Sequence, residues 1–222
     1  RHAEGPAWRQ TVARRQAATI AGAWRRSKVS GPSRIGWAKV AARFSIRRKK
    51  EMTVTVPALE TERLRLRPWR NEDIDPLAKL FGDETLAQYI GGVCSRRDSW
   101  RRLAAFAGHW QLCGFGNWAV DEKATGEFCG FCGLWYPDEF PEIEMGWSLA
   151  RQKHGRGYAT EAATRARSFA FETLHLKTLV SFIRPDNTPS QRVAQRLGAA
   201  PDGETAIQGK AVVIWRHLAP KH

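Results

Sequence analysis

Gly155 and Gly157 interrupt the run Gln152, Lys153, His154, Gly155, Arg156, Gly157, Tyr158, Ala159, Thr160, Glu161 and Ala162, which lies between an expected strand and an expected helix. Two glycines let the backbone turn with its N–H groups pointing one way, and the following helix adds its unpaired N-terminal donors. That combination is a socket for a pyrophosphate. The loop lacks G-K-[ST] and lacks G-x-G-x-x-G, so it is neither a Walker loop nor the dinucleotide fingerprint. The other suggestive spacing is the C-x-x-C of Cys129 and Cys132. Its surroundings read as a strand, where residues three apart point to opposite faces, and two thiols so placed cannot share a metal. No second C-x-x-C or paired histidines complete a ligand set. The four cysteines, Cys94, Cys113, Cys129 and Cys132, are expected to be structural, with no metal and a reduced, cytoplasmic setting.

The elements that must position the loop follow from residue periodicity. Leu64 and Leu66 alternate with Arg63, Arg65 and Arg67, which predicts a strand with one wet face. Asn71 opens a helical stretch through Leu77, Leu80 and Phe81. Ser95 and Asp98 make a capping box ahead of Trp100, Leu103, Phe106 and Trp110 at helical spacing. Strands are expected over 117–121 and 127–135, joined by a turn at Ala124, Thr125 and Gly126, with a third over 142–149. After the glycine loop come a helix to about Leu174, a strand over 178–184, a helix over 190–197 closed by Gly198, and a final strand over 211–218. The fold class is therefore α/β, a mixed and mostly antiparallel sheet flanked by helices.

The net charge of +14 suggests a nucleic-acid binder until its distribution is read. Residues 1–51 carry 14 of the 36 Lys and Arg and only two acids, Glu4 and Glu51, leaving a net of +2 for residues 52–222. The chain begins with Arg1, and its first methionine is Met52, which is expected to be the natural start. Residues 1–51 then read as a disordered or non-native extension, and nucleic acid enters only through them. The competing reading makes Trp8, Val12, Ile20 and Trp24 one face of an Arg-rich helix serving as a transit peptide or a clamp for anionic lipid or RNA. No run of about 18 apolar residues is present, so no membrane-spanning helix is expected.

Gln152 to Gly157 match the cofactor loop [QR]-x-x-G-x-[GA] of the GNAT superfamily of N-acetyltransferases, which the sequence resembles. The similarity is to the RimJ/RimL-like branch, because the flanking phrases also fit. Glu60 to Trp69 look like its opening strand, Trp118 to Leu134 and Glu144 to Leu149 like its central strands. Pro185 to Ser190, with Val193 and Leu197-Gly198, look like its last-helix motif. The resemblance implies the GNAT acyl-CoA N-acyltransferase fold over 52–222 and acetyl-CoA as co-substrate. The acceptor is a primary amine, a protein N-terminus or a small molecule, acetylated by direct transfer in a ternary complex. The backbone from Gln152 to Thr160 would hold the pyrophosphate, and Trp147, Ser148 and Leu149 would pair with the pantetheine arm. Lys153 and Arg156 are read either as phosphate contacts or as surface charges. A monomer or homodimer is expected.

Amine attack on a thioester needs a base for the ammonium proton. Glu142 and Glu144 are two apart on an expected strand and so face the same way, and Glu144 is favoured. Many members of the superfamily protonate the thiolate with a tyrosine late in the chain, but none follows Tyr158 here. The resemblance supplies Asn187 and Ser190 instead, residue types that also cap helices. His154 is read as loop packing. Among Trp69, Tyr89, Trp100, Trp110 and Trp135, a core role is expected for most. The reading from another class is a ribosome- or RNA-associated binding protein whose acetyltransferase domain is degenerate.

Overall fold

Among the described residues one sheet runs through the domain and the helices are arranged around it. The computed structural model describes residues 54–220, so the basic segment 1–51 and the proposed start at Met52 lie outside the described residues. Among the described residues eight strands form the sheet: β1 (Leu59–Glu60), β2 (Leu64–Arg67), β3 (Asn117–Glu122), β4 (Phe128–Trp135), β5 (Glu144–Leu149), β6 (Thr178–Ile183), β7 (Ala200–Ile207) and β8 (Lys210–Leu218). Their order is β1-β2-β3-β4-β5-β6-β8-β7. Every neighbouring pair is antiparallel except β5 and β6.

The helices are α1 (Ile74–Gly82), α2 (Glu84–Ala87), α3 (Arg96–Cys113), α4 (Tyr158–Ser168) and α5 (Thr188–Arg196). Ser95 caps α3 as expected, its hydroxyl accepting from the Asp98 N–H at 3.1 Å; the Asp98 carboxylate accepts from that same hydroxyl at 2.7 Å rather than from the Ser95 backbone N–H, so the cap is not the reciprocal box expected. Period-two alternation along β4 sends Cys132 and Leu134 to the cluster that holds Ala162 and Ala166 of α4. Phe131 goes to the cluster that holds Leu77 and Phe81 of α1 and Phe106 of α3. Cys129 joins Cys132 in the first cluster rather than facing the other way as expected, because the β3–β4 register shifts between Val120 and Asp121 and breaks the alternation at Cys129. Both are buried, and burial pushes the Cys129 thiol up to about 11 and the Cys132 thiol higher. No helix among the described residues is long and apolar enough to cross a membrane.

Three boundaries and one whole strand differ most from the expectation. β5 starts at Glu144, so Glu142 lies outside the strand. The helix after the glycine loop ends at Ser168 and gives way to a π-helical turn over Phe169–Thr173. The last helix begins at Thr188, one residue after its cap Asn187, rather than at Ser190. β7 has no counterpart in the expected elements: it is an edge strand, exposed along most of its length, so no apolar alternation marks it. Gln208 and Gly209, both at positive φ, close its hairpin with β8.

Candidate active site

β5 and β6 share a single register pair, Glu144 with Val180, and then part. The other edge of β5 stays fully paired with β4 from Trp135↔Glu144 to Gly130↔Leu149. The edge facing β6 is thus open beyond the fork, bridged at its root where the Ser181 hydroxyl donates to the Met145 carbonyl at 2.6 Å. His217 stands behind Ser181, Nε2 to Oγ 3.0 Å, and is fully buried; burial pushes its pKa down to about 4. Because the Ser181 proton goes to Met145, Nε2 of His217 must carry the hydrogen that Ser181 accepts. That leaves Nδ1 as a buried acceptor with no partner among the described residues.

The open end of the fork leads to the glycine loop. A 3₁₀ turn over Arg151–Lys153 follows β5, and the exposed His154 folds back with Nε2 2.8 Å from the Leu149 carbonyl. Gly155 at φ +74° and Gly157 at φ +78° take a left-handed backbone that other residues adopt at a cost. Gly157 caps α4 without a side chain, so the N–H groups of Tyr158, Ala159 and Thr160 have no acceptor among the described residues. All three residues line the cleft. Unpartnered donors at a helix start, on a loop that no Cβ fills, fit a pyrophosphate.

A carboxylate that the sequence did not single out holds this loop. Glu122, buried at the end of β3, accepts from Lys153 Nζ at 2.7 Å, from the Tyr158 hydroxyl and from Thr125 Oγ1 at 3.1 Å, with Arg156 at 3.5 Å. The Lys153 ammonium is the main reason its carboxyl is held down at about 2. Lys153 is buried rather than a surface charge, and its ammonium also meets Glu127 at 2.6 Å while the residue lines the cleft. Gln152 and Arg156 are exposed and stand outside the cleft lining. Glu161, one turn into α4, accepts from Thr61 Oγ1 at 2.6 Å, from the Arg63 N–H at 2.9 Å and from Arg63 Nε at 2.7 Å. Apart from the Thr125 contact, these anchors join residues 26 to 100 positions apart, a distance over which no local spacing rule operates.

The two candidate bases part company. Glu142 is clamped by Arg216, which donates to its two oxygens at 2.8 and 2.9 Å and holds its carboxyl below the usual range. Glu144 sits half-buried at the apex of the fork, accepts from the Phe182 backbone N–H, and is pushed up to about 7 by burial. Across the fork, the Asn187 side chain accepts from the Ser190 N–H at 3.3 Å, so Asn187 is the cap of α5. The Ser190 hydroxyl has no protein partner among the described residues, and both residues line the cleft with Glu144, Trp147, Ser148 and Leu149. The cleft measures about 1300 Å³. Of the five aromatics, Tyr89 and Trp135 line it, Trp110 is core, Trp69 stacks on Phe106 at 5.2 Å and Trp100 is exposed.

Residues 63–200 match the family model for the Acetyltransferase (GNAT) domain. A Bacillus subtilis relative, the uncharacterized protein YkkB, is 31% identical over 144 residues, 63% of this chain and 83% of that protein. An acetyltransferase crystal structure from Agrobacterium tumefaciens superposes with a TM-score of 0.69 at 34% identity, covering 74% of this chain and 96% of that one. The structure of RimL, a ribosomal L7/L12 alpha-N-protein acetyltransferase in complex with coenzyme A, shares the fold. Its TM-score is 0.63 at 15% identity, covering 73% of this chain and 98% of that one.

Proposed function

The chain belongs to the GNAT acetyltransferase domain family, and from that premise we propose that it transfers the acetyl group of acetyl-CoA directly to a primary amine while both are bound. The observation that carries this reading is the fork: β5 leaves β6 at Glu144, and the glycine loop stands at its open end.

When bound, acetyl-CoA supplies a thioester carbonyl that amines attack. The N–H groups of Tyr158, Ala159 and Thr160, approached closely because Gly155 and Gly157 carry no Cβ, are the donors for its pyrophosphate. The open edge of β5 at Trp147, Ser148 and Leu149 offers backbone donors and acceptors to the pantetheine amides, as another strand would. Glu144 takes the acceptor's proton. An amine is mostly protonated at neutral pH, and a carboxyl near 7 is matched to remove its proton there. Glu142 is unsuited to the task, because Arg216 occupies both of its oxygens. The Ser190 hydroxyl and the Asn187 amide N–H groups are the donors for the departing sulfur, while the Asn187 oxygen remains the helix cap. Glu144 takes the ammonium proton before attack; the C–N bond then forms as the C–S bond breaks, the electron pair leaves with sulfur, and the second proton shed by the nitrogen ends on that sulfur as the CoA thiol.

Calorimetry with acetyl-CoA, followed by thiol release on adding primary amines, tests the reading. Binding and amine-dependent thiol release are expected. A folded protein that neither binds acetyl-CoA nor releases thiol would overturn it.

A further inference from the structure

The acetyl-transfer reading fills the loop end of the cleft and leaves the Glu144 end without a defined occupant. On the face of β5 that carries Glu144, the next residue pointing the same way is Gly146. A Cβ built there would meet only the Glu144 carboxyl carbon, at 4.0 Å, so the strand withholds a side chain beside the base. Trp135 is the direct cross-strand partner of Glu144. Phe182 gives Glu144 its backbone donor, and Phe140 meets the Phe182 ring edge-on at 5.6 Å. All of these residues line the cleft.

The charges there are equally one-sided. Among the described residues Glu144 and Glu161 are the only carboxylates lining the cleft, and Glu161 is taken up by Thr61 and Arg63. Arg102 lies over the Phe81 ring at 4.5 Å and donates to the carbonyls of Ile90 and Gly91, with no carboxylate partner among the described residues. Arg184 lies 5.4 Å from the Tyr89 ring and is paired at 2.8 Å with Asp186, which stands outside the lining. A polycation entering this space would find one available carboxylate, two arginines and aromatic walls that disfavour its further charges.

Resting on the acetyl-transfer reading, we propose that this bay is the acceptor site and that the acceptor is a primary monoamine on an aromatic or branched apolar body, walled by Trp135, Phe140 and Phe182 over the floor left open at Gly146. The amine points at Glu144 and its body lies against the rings. The same walls that hold the body disfavour both an ammonium and a carboxylate, so passing the proton from one to the other relieves both at once.

The test is steady-state thiol release by the full chain at fixed acetyl-CoA, with phenylethylamine, methylamine, spermidine and a tripeptide of apolar first residue as acceptors. Burial of the ring predicts a kcat/KM for phenylethylamine about ten- to a hundredfold above methylamine, with spermidine and the tripeptide below phenylethylamine. Trp135→Ala should raise KM for phenylethylamine about tenfold and leave the acetyl-CoA dissociation constant unchanged. Phe140→Leu, a milder change on a loop, should act in the same direction if Trp135→Ala does not fold. Gly146→Ala should penalise phenylethylamine more than methylamine. Preference for spermidine or the tripeptide, equal rates for all four, or acetyl-CoA binding with no turnover of any amine would overturn the acceptor assignment alone. Failure to bind acetyl-CoA would overturn the acetyl-transfer reading, and this assignment with it.

Discussion

At the glycine-loop end of the cleft, Lys153, Tyr158, Thr125 and Arg156 converge on the single carboxylate of Glu122, whereas at the other end Glu144 has one backbone donor and aromatic neighbours. Identical functional groups are driven in opposite directions: Glu122 is held down at about 2 and Glu144 is pushed up to about 7. A carboxylate surrounded by donors is locked in its charged form and serves as an anchor. A carboxyl among apolar neighbours can gain and lose its proton near neutral pH and serves chemistry. The contrast explains why one end resembles scaffold and the other resembles a reaction site, although both contain a glutamate on the same sheet.

The largest effect expected to sharpen this contrast lies at the root of the fork. His217 is kept neutral in the folded state, with its pKa at about 4, whereas an unfolded imidazole titrates near 6.5. The benefit of burying it is whole above 6.5 and is lost as pH falls toward 4, amounting to about 3 kcal/mol. Melting curves between pH 7 and 4 should therefore fall steeply, and His217→Gln should flatten that fall. Next comes Gly157→Val. A side chain at φ +78° costs about 1–2 kcal/mol, yet the new Cβ would meet only Arg63, at 3.5 Å. Acetyl-CoA affinity should drop about ten- to a hundredfold in a domain that still folds, and unchanged affinity by calorimetry would remove the loop from the account.

Smaller effects separate the two residues across the fork. Asn187→Ala removes the cap of α5 and should cost about 1 kcal/mol of stability in a denaturant titration. Ser190→Ala removes a hydroxyl that caps nothing, so stability should stay within about 0.5 kcal/mol while turnover falls. A stability loss in Ser190→Ala equal to that of Asn187→Ala would make both residues part of the cap.

Legibility in the sequence follows the same division. The glycine loop, the Ser95 cap and the inward Leu64 and Leu66 are local patterns that occur where their spacing predicts them, but the wet face expected of β2 fails at Arg67, which is buried against Asp73 and Asp121. Glu144 was favoured over Glu142, but spacing put both on one face, because spacing within a strand decides only which way a residue points. What distinguishes them is Arg216, 74 residues away. Glu122, Ser181 and His217 were illegible for the same reason, since their roles exist only through partners brought in by the sheet. β7 escaped because an exposed edge strand need not alternate. Phe140 and Phe182 read as ordinary apolar residues until the fork sets them beside Glu144.

The account turns on Glu144, and thiol-release kinetics of Glu144→Gln between pH 6 and 9 tests it most directly. A carboxyl near 7 that must be ionised to accept a proton predicts that wild-type turnover rises as pH climbs through about 7. The variant should bind acetyl-CoA as the wild type does and lose about 10² to 10⁴-fold in kcat at neutral pH. The deficit should narrow as pH rises and free amine becomes abundant. Wild-type turnover in Glu144→Gln, with an unaltered pH profile, would contradict the assignment of the base and with it the chemistry assigned to the fork.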